Sequence, residues 1–373
     1  MNKINFKKTI NLIGSPKIFV YLVIWLMFLV VVGTWAQRDY GLYIAQNKYF
    51  SSWFFLLFGL IPIPSGRLIM TLMTINLSCY FFKPNIFKQA KLGITIVHSG
   101  VILLLVGGGL TGFFSTEGSM VIEEGGNSNF TENFYLKELA VVKTSDEFYD
   151  HFTIFDQPLL KVNSLLIDES LPFKIKILDY FSNSEPTPRL YRGDSTLKGM
   201  ARNFTLKEKN NEIEFEKNIP GIIYEVYDLE NKSLGIYMGY MGQPITQNIN
   251  INNSEYSIIL RRERTYLPFD ILLNDFKKVM HPGTNIAKSY SSDILLTDGG
   301  VSRKVLIQMN EPLRYKGHTF YQASFIEGNG VDTTVLAVVK NYGRLFPYIS
   351  TIIMCIGLLL HMLLKINFKK AVK

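Results

Sequence analysis

Cysteine is scarce in this chain, and its scarcity excludes several kinds of protein. Only Cys79 and Cys355 are present among the 373 residues, and both lie within apolar segments. Two cysteines are too few for a disulfide framework or a cysteine-rich metal site. The patterns C-x-x-C and C-x-x-C-H are absent, so the chain is neither a thioredoxin-type redox protein nor itself a c-type cytochrome. The enzyme signatures G-x-S-x-G, H-E-x-x-H and the P-loop are missing as well, which leaves no recognisable catalytic motif.

Charged residues are also few, and the apolar residues are concentrated in blocks. The chain is 47% hydrophobic and 19% charged, whereas soluble domains usually contain about a quarter charged residues. Four blocks approach or reach the length that a helix needs to cross a hydrocarbon core of ~30 Å. We therefore predict transmembrane helices at about 18–35, 66–82, 92–114 and 345–364. The aromatic segment 49–60, which precedes Pro62 and Pro64, is expected to be interfacial or re-entrant.

Acidic residues are absent from three lysine-rich segments beside the predicted helices. Residues 1–17, 83–91 and 365–373 together hold eleven lysines and no Asp or Glu, while the rest of the chain holds 28 basic and 31 acidic residues. The formal net charge of +8 therefore belongs to these three segments. Basic residues beside membrane helices favour the cytoplasmic side. The pattern predicts cytoplasmic termini and a 115–344 domain on the far side of the membrane, and it does not indicate a nucleic-acid partner.

Between residues 115 and 344 the pattern changes to short runs in which polar and apolar residues alternate. Examples are FKIKILDYF and GIIYEVYDL. β-Branched residues and tyrosine are common in such runs, and Gly, Asn, Asp or Pro separates them. The expected fold is an all-β antiparallel sandwich or open barrel. The asparagine-rich piece 248–253 is expected to be a loop.

The predicted chain thus has three parts. Residues 1–114 form an N-terminal membrane domain, residues 115–344 a β-rich extracytoplasmic domain, and residues 345–373 a C-terminal transmembrane helix with a basic tail. Three membrane helices precede the β-rich domain, and one follows it.

Two of the five histidines lie inside predicted membrane helices. His98 is roughly 9 Å and His361 roughly 5 Å from the lysine-rich end of its helix, at 1.5 Å per residue. An ionisable side chain at membrane depth is a candidate functional residue, and a neutral imidazole is suited to bind haem iron. Simpler explanations exist, because His98 could bond to a neighbouring helix and His361 could reach the headgroups beside Lys365. The pattern assigns no role to the remaining histidines, which are typical of surface positions: His151, His281 and His318.

Glycines cluster in the helix that contains His98. Gly100, Gly107 and Gly108, followed by Gly109 and Gly112, leave one side of this helix almost without side chains. Such a face permits close contact with another helix or with a flat ligand. Two interpretations stay open, namely packing within this chain and a face for haem or for a partner helix.

Several longer motifs follow one another along the chain. They are GTWAQ at 33–37, YFSSWF at 49–54, the His98-Ser99-Gly100 opening, GSMVIEEG at 118–125, LPFKIKILDYF at 171–181, HPGTNIAKSYSSDILL at 281–296 and MNEPLRYKGHTFYQASF at 309–325. In this order, and with three helices before the domain and one after it, the chain resembles the ResB family, also called CcsB. The resemblance covers nearly the whole length, and the last motif is the most specific.

The resemblance implies a function, a cofactor, partners and a location, which is the bacterial inner membrane with the large domain in the periplasm. ResB-like proteins work in system II cytochrome c maturation with a CcsA (ResC) partner, and the pair carries haem b outward and attaches it to the C-x-x-C-H of apocytochrome c. His98 would be an axial ligand of the haem iron, with the second ligand from the partner, and His361 is a lesser candidate. Gly100, Gly107 and Gly108 would face haem or a partner helix. Lys88 or Lys91 would meet the haem propionates.

The resemblance also limits what this chain would do. The partner's tryptophan-rich haem-handling segment is absent, because only three tryptophans are present. The chain therefore resembles the stand-alone subunit, which is not expected to be catalytic alone, and no catalytic residue is assigned. The alternative function is a haem-free membrane scaffold, or an apocytochrome-binding module, that stabilises the CcsA-type partner.

Overall fold

A computed structural model describes residues 3–84, 86–144, 150–190, 193–244, 246–252, 254–284, 287–328 and 330–365. The chain forms two compact units. The first, here called the membrane unit, comprises Met1–Thr116, Lys316–His318 and Val339–Lys373. The second, here called the β unit, comprises Glu117–Tyr315 and Thr319–Val338.

The described part of the membrane unit contains five α-helices. They are α1 (Lys3–Ile13), α2 (Pro16–Gln46), α3 (Gly66–Ser78), α4 (Leu92–Phe114) and α5 (Phe346–Lys365). Three apolar helical stretches are long enough to cross a membrane, and they contain α2, α4 and α5; the shorter stretch Gly66–Phe82 contains α3 and a 3₁₀ turn. The predicted arrangement of three membrane helices before a β-rich domain and one after it is confirmed.

Helix α2 is longer than the apolar run that predicts it. It begins at Pro16, where a proline is tolerated because the first helical N–H has no intrahelical partner, and it continues to Gln46. Gly41 interrupts the helical backbone with φ 77°, a conformation that glycine adopts without the steric cost of a β-carbon.

The aromatic segment after α2 forms a π-helical turn and a β-hairpin. The turn covers Asn47–Ser51, and β1 (Phe54–Leu57) pairs antiparallel with β2 (Ile61–Pro64). Two prolines fit into β2 because each strand of a two-stranded hairpin has an unpaired edge, where no N–H donor is needed. The segment expected to be interfacial or re-entrant is thus a compact hairpin.

Helices α4 and α5 pack closely because glycines occupy their contact. Gly93, Gly100 and Gly107 are seven residues apart and therefore lie on one side of α4. A β-carbon at Gly93 would lie 2.5 Å from the backbone nitrogen of His361, and one at Gly107 would overlap the side chain of Phe346. The backbones approach as closely as small residues permit in membrane helix pairs. The contact fixes the rotation of α4 about its own axis.

The β unit is built largely from the remaining strands. They are β3 (Thr116–Glu123), β4 (Asn127–Thr144), β5 (Asp150–Asp156), β6 (Leu165–Leu166), β7 (Phe173–Phe181), β8 (Ser184–Pro188), β9 (Phe204–Glu208), β10 (Gly221–Asp228), β11 (Ser233–Tyr240), β12 (Gln247–Ile251), β13 (Ser254–Met280), β14 (Ala287–Asp298), β15 (Val301–Gln308), β16 (Leu313–Tyr315), β17 (His318–Ile326) and β18 (Thr333–Lys340). The predicted β-rich fold is confirmed.

A large sheet and a smaller one organise these strands. The large sheet has the order β15-β14-β13-β4-β3-β18-β17-β16, with β5 paired to β4 and β12 paired to β13. The smaller sheet has the order β11-β10-β7-β6, and β8 pairs with β9. Strands β7 and β10 alternate buried and partly exposed positions, as half-buried strands do.

The long strand β13 contributes to two separate hydrophobic cores. Tyr256, Ile258 and Leu260 join a core formed with the small sheet, and the segment from Leu267 to Leu273 joins a second core. The buried positions have even numbers from Tyr256 to Leu260 and odd numbers from Leu267 to Leu273. Side chains alternate with period two along a strand, so this change needs an irregularity between the cores. The register with β4 indeed shifts there.

Charged residues occupy the stretch of β13 between the two cores. The Nε of Arg261 donates a hydrogen bond to Oε1 of Glu138 on β4 at 2.7 Å, and the side chains are only 9% and 3% exposed. The Nη2 of Arg261 is buried without a hydrogen-bond partner among the described residues. Neighbouring Lys137 is also buried, and desolvation, assisted by the charge of Arg262, lowers its pKa to about 8.

The expectation of a loop at 248–253 is wrong for most of that segment. Residues Gln247–Ile251 form β12, which pairs antiparallel with β13. Ile249 is buried at 4% exposure, while the exposed Asn248 donates from Nδ2 to Oε1 of Glu255 at 2.8 Å. Alternation and cross-strand bonds therefore override the low strand preference of asparagine. Asn253 lies outside the described residues.

Replacing Gly93 with alanine is expected to destabilise the membrane unit. The new methyl group would meet the backbone of α5, and overpacking of this kind costs about 1–3 kcal/mol. Gly109→Ala is the matched control, because a β-carbon at Gly109 has no heavy atom within 4 Å. Thermal unfolding of the purified protein in detergent should show a lower midpoint for Gly93→Ala alone. Equal midpoints would contradict the close α4–α5 contact.

Removing one partner of the buried ion pair is expected to cost more than removing both. Glu138→Leu leaves the charge of Arg261 buried without a partner, which lowers the free energy of unfolding by roughly 3–5 kcal/mol. The double variant Glu138→Leu with Arg261→Met should recover much of this loss of stability. Glu214→Leu, which breaks the exposed pair with Lys217, serves as control and should change stability by about 0–1 kcal/mol. Denaturant unfolding measures all three variants. A double variant less stable than Glu138→Leu would refute the expected coupling.

Candidate functional site

The hydrogen bond of His98 determines which of its ring nitrogens is free. His98 lies in α4 and is half-buried. Its Nδ1 is 2.8 Å from the carbonyl oxygen of Ile94, one helical turn earlier. A carbonyl oxygen can only accept, so Nδ1 carries the proton and donates it. The neutral imidazole then presents the lone pair of Nε2, which is the form that binds a metal ion.

The aromatic ring of Tyr80 orients the imidazole. Tyr80 follows α3 in the 3₁₀ turn Cys79–Phe82. Its ring stacks on His98 with a centroid distance of 4.3 Å and an interplanar angle of 22°. The Tyr80 hydroxyl lies 3.4 Å from Oγ1 of Thr95, which donates to the carbonyl of Ile86 at 2.8 Å. Because the hydroxyl of Tyr80 contacts Thr95, the tyrosine ring is fixed in place, and it restricts rotation of the imidazole.

His98 and Tyr80 line a largely apolar cavity, here called the His98 cavity. Its volume is about 310 Å³, near the lower end of the range for ligand pockets. The other lining residues come from the α1–α2 turn, the start of α2, the end of α3 and the first half of α4: Gly14, Pro16, Phe19, Val20, Asn76, Leu77, Lys83, Val97 and Val101. A flat apolar molecule with a few polar groups matches this composition.

Two polar side chains attach the end of α3 to the α1–α2 turn. Asn76, only 5% exposed, donates from Nδ2 to the carbonyls of Ile13 and Ser15. The Nζ of Lys83 donates to the carbonyl of Gly14 at 3.1 Å. Both side chains also line the His98 cavity, so they fix its wall. Lys83 is the only charged residue in that lining.

The structure places the other predicted site residues elsewhere. His361 lies on α5, where its backbone faces Gly93, and it does not contribute to the described lining of the His98 cavity. Gly100 and Gly107 also face α5, which corresponds to packing within this chain. Gly108 lies on another side of α4, where a β-carbon would meet only the Cε of Met70, at 3.7 Å.

Sequence reasoning missed two residues of this site, Tyr80 and Lys83. Lys88 and Lys91, the expected partners of propionates, are exposed and outside the cavity lining, whereas Lys83 is within it. Tyr80 was not singled out either. The available signal was the run YFFK at the end of α3, which places an aromatic ring and a cation three residues apart next to a membrane helix end.

The histidines outside the membrane helices are not among the described lining residues of this cavity. His151 is on β5, opposite Lys143, and His281 is exposed in the turn after β13. The Nδ1 of His318 is 3.1 Å from the carbonyl of Lys316. Burial lowers the pKa of His318, and the charge of Lys340 adds to this effect. Among the described residues, no group of three or more His, Cys, Asp or Glu side chains is arranged to hold a metal ion.

The fold and the site define a class of protein, and comparisons with known proteins narrow it. The chain is a multi-span membrane protein whose β-rich unit lies in the sequence before the last membrane helix. Residues 234–335, which run from β11 into β18, match the ResB-like family. The similarity to this family rests on that segment, which lies almost entirely in the β unit.

One relative matches almost the whole of this chain. Protein NrfI of Wolinella succinogenes is 23% identical to this chain over an alignment of 363 residues, which covers 92% of this chain and 34% of NrfI. The chain thus spans about a third of the length of that relative. The similarity reaches both units, whereas the family match lies mainly in the second core of the β unit.

Proposed function

We propose that this protein acts in cytochrome c biogenesis, as a membrane subunit that receives haem b and passes it outward for attachment to apocytochrome c. The match of residues 234–335 to the ResB-like family and the similarity to NrfI support the general role. The His98 cavity supports the assignment of haem as the transported substrate.

The observation that carries this proposal is the hydrogen bond from Nδ1 of His98 to Ile94. It leaves the lone pair on Nε2 of a histidine that lines an apolar cavity, and an imidazole nitrogen of this kind is a common ligand of haem iron. Bound haem would supply an iron atom that accepts this lone pair. His98 would hold the iron, and Tyr80, whose ring stacks on that of His98, would keep the imidazole in one orientation.

The single cation of the cavity suits the carboxylates of haem. Haem has an apolar ring and two propionates, and a lysine binds a carboxylate by a charge-assisted hydrogen bond. Lys83 offers three donors, of which one is directed to Gly14 in the structure. We assign Lys83, in preference to the exposed Lys88 and Lys91, as the residue that meets a propionate.

The position of the cavity supports loading from the cytoplasm. Its wall includes the α1–α2 turn and the end of α3, and the lysine-rich segments 1–17 and 83–91 adjoin these elements. Because basic segments favour the cytoplasmic side, we place the cavity in the inner half of a bacterial inner membrane. In this orientation the termini are cytoplasmic and the β unit is periplasmic.

A partner completes the proposed machinery. His98 is the only histidine in the described lining of the cavity, and another chain would supply a second ligand to the iron. We propose a CcsA-type haem-handling membrane protein for this role, with apocytochrome c as the client. The attachment chemistry then belongs to the complex, and this chain supplies haem binding and positioning.

His98→Ala is expected to abolish low-spin haem in the complex purified with a CcsA-type partner. The iron would lose one axial nitrogen, and free imidazole should enter the vacated space and restore the low-spin absorption spectrum. His361→Ala is the matched control, because that membrane histidine lies outside the cavity lining. Unchanged spectra in His98→Ala would refute ligation by His98. A complex without haem in the parent protein would favour the scaffold function.

Tyr80→Leu is expected to weaken haem binding while leaving the ligand in place. Loss of the stacked ring releases the imidazole, and partners of metal-binding histidines typically contribute about 10–100-fold in affinity. Tyr80→Phe retains the ring and should retain most of the binding. Haem titration followed by the position and intensity of the Soret band measures both variants. Equal affinity of the parent and the leucine variant would show that Tyr80 does not position His98.

A further inference from the structure

A second cavity of about 310 Å³ lies between α3 and α4. It shares no lining residue with the His98 cavity. Arg67 lies at one end, beside the start of α3 and the end of α4, and three glycines of α4 contribute to its wall: Gly108, Gly109 and Gly112. We call this cavity the Arg67 groove. All of its described lining residues belong to the membrane unit.

The wall of the groove formed by the three glycines has no side chains and no close neighbours. A β-carbon at Gly109 or Gly112 would have no heavy atom within 4 Å, and one at Gly108 would meet only Met70, at 3.7 Å. These glycines therefore differ from Gly107, whose space is filled by Phe346 of α5. The absence of side chains leaves a channel along the surface of α4, and a flexible hydrocarbon chain fits such a channel by van der Waals contact.

Arg67 is a cation, and no unpaired acidic side chain of the membrane unit is available to neutralise it. Asp39 is the only acidic residue in the stretches of sequence that form the membrane unit. Asp39 accepts a hydrogen bond from Nε of Arg38 at 2.9 Å. Arg67 forms no ion pair with a described residue, and its guanidinium instead lies 4.6 Å from the ring centroid of Phe113 and 5.9 Å from that of Trp53.

Two threonine hydroxyls in the groove are already bonded to the helix backbone. The hydroxyls of Thr71 and Thr74 donate to the carbonyls of Arg67 and Met70, each at 2.8 Å. The groove thus combines one cation at its end with an apolar channel. This combination matches a molecule that has an anionic headgroup and a hydrocarbon chain, because arginine binds phosphate oxygens by paired hydrogen bonds.

We propose that the Arg67 groove binds one anionic phospholipid. The phosphate contacts the guanidinium of Arg67, and an acyl chain lies over Gly108, Gly109 and Gly112. An apolar helix of a partner would fill the channel but would bury the charge of Arg67 without compensation. Haem iron is most often held by histidine or cysteine; neither is among the described lining residues of this groove, where Met70 alone could offer a ligand atom.

Selective quenching of Trp53 by brominated lipids tests this site. Trp53 is 44% exposed and adjoins Arg67, and the chain has only three tryptophans. The full chain with Trp25→Phe and Trp35→Phe is reconstituted into phosphatidylcholine vesicles. Brominated-acyl phosphatidylglycerol or brominated-acyl phosphatidylcholine is then added at the same mole fraction. We expect roughly fivefold enrichment of the anionic lipid at Trp53, the effect typical of one basic residue at a membrane surface.

Variants of the groove separate specific binding from general attraction to the membrane. Arg67→Gln should abolish the preference for phosphatidylglycerol, and Gly109→Leu should reduce quenching by filling the channel. Arg38→Gln, which removes the same charge from α2, should keep the preference. Equal quenching by both lipids in the parent protein would overturn the proposal. So would a preference that persists in Arg67→Gln, or the absence of quenching by either lipid, which would indicate a groove filled by protein.

Discussion

The close contact between α4 and α5 is the constraint on which the membrane unit depends. Glycines at three positions, each seven residues from the next, bring α4 against the backbone of α5. The contact fixes which side of α4 faces its neighbour. His98 lies five residues after Gly93 and so projects from a different side, where it meets Tyr80 and the His98 cavity. The direction of the candidate ligand thus follows from packing at glycines that do not line its cavity.

A shortage of carboxylates gives the membrane unit its chemical character. With Asp39 bonded to Arg38, the cations inside the unit have no acidic side chain to neutralise them. Lys83 therefore bonds to a backbone carbonyl, and Arg67 lies against aromatic rings. Cations in a low-dielectric environment attract anions strongly. Both proposed ligands, a propionate of haem and a lipid phosphate, are anions placed beside such cations at separate ends of the helices.

The β unit depends on a different constraint, because the single strand β13 contributes buried side chains to two hydrophobic cores. Strand β13 changes its buried face between Leu260 and Leu267, and the charged stretch between the cores is held by the pair of Glu138 and Arg261. Such a buried pair contributes little net stability, but it is costly to break on one side only. It therefore specifies the register at which β4 and β13 pair between the cores.

The sequence by itself determined the class of this protein. Long apolar runs predicted the membrane helices, alternation predicted the β-rich unit, and membrane depth singled out His98, because hydropathy and periodicity are local properties of the chain. Only the tertiary structure decided that Gly100 and Gly107 face α5, that Lys83 and Tyr80 join His98, and that β12 is a strand. These outcomes depend on contacts between distant segments, such as α4 with α5, which lies beyond the whole β unit in the sequence. No local pattern records such contacts, since packing and hydrogen bonding across the fold select among several faces that are each locally acceptable.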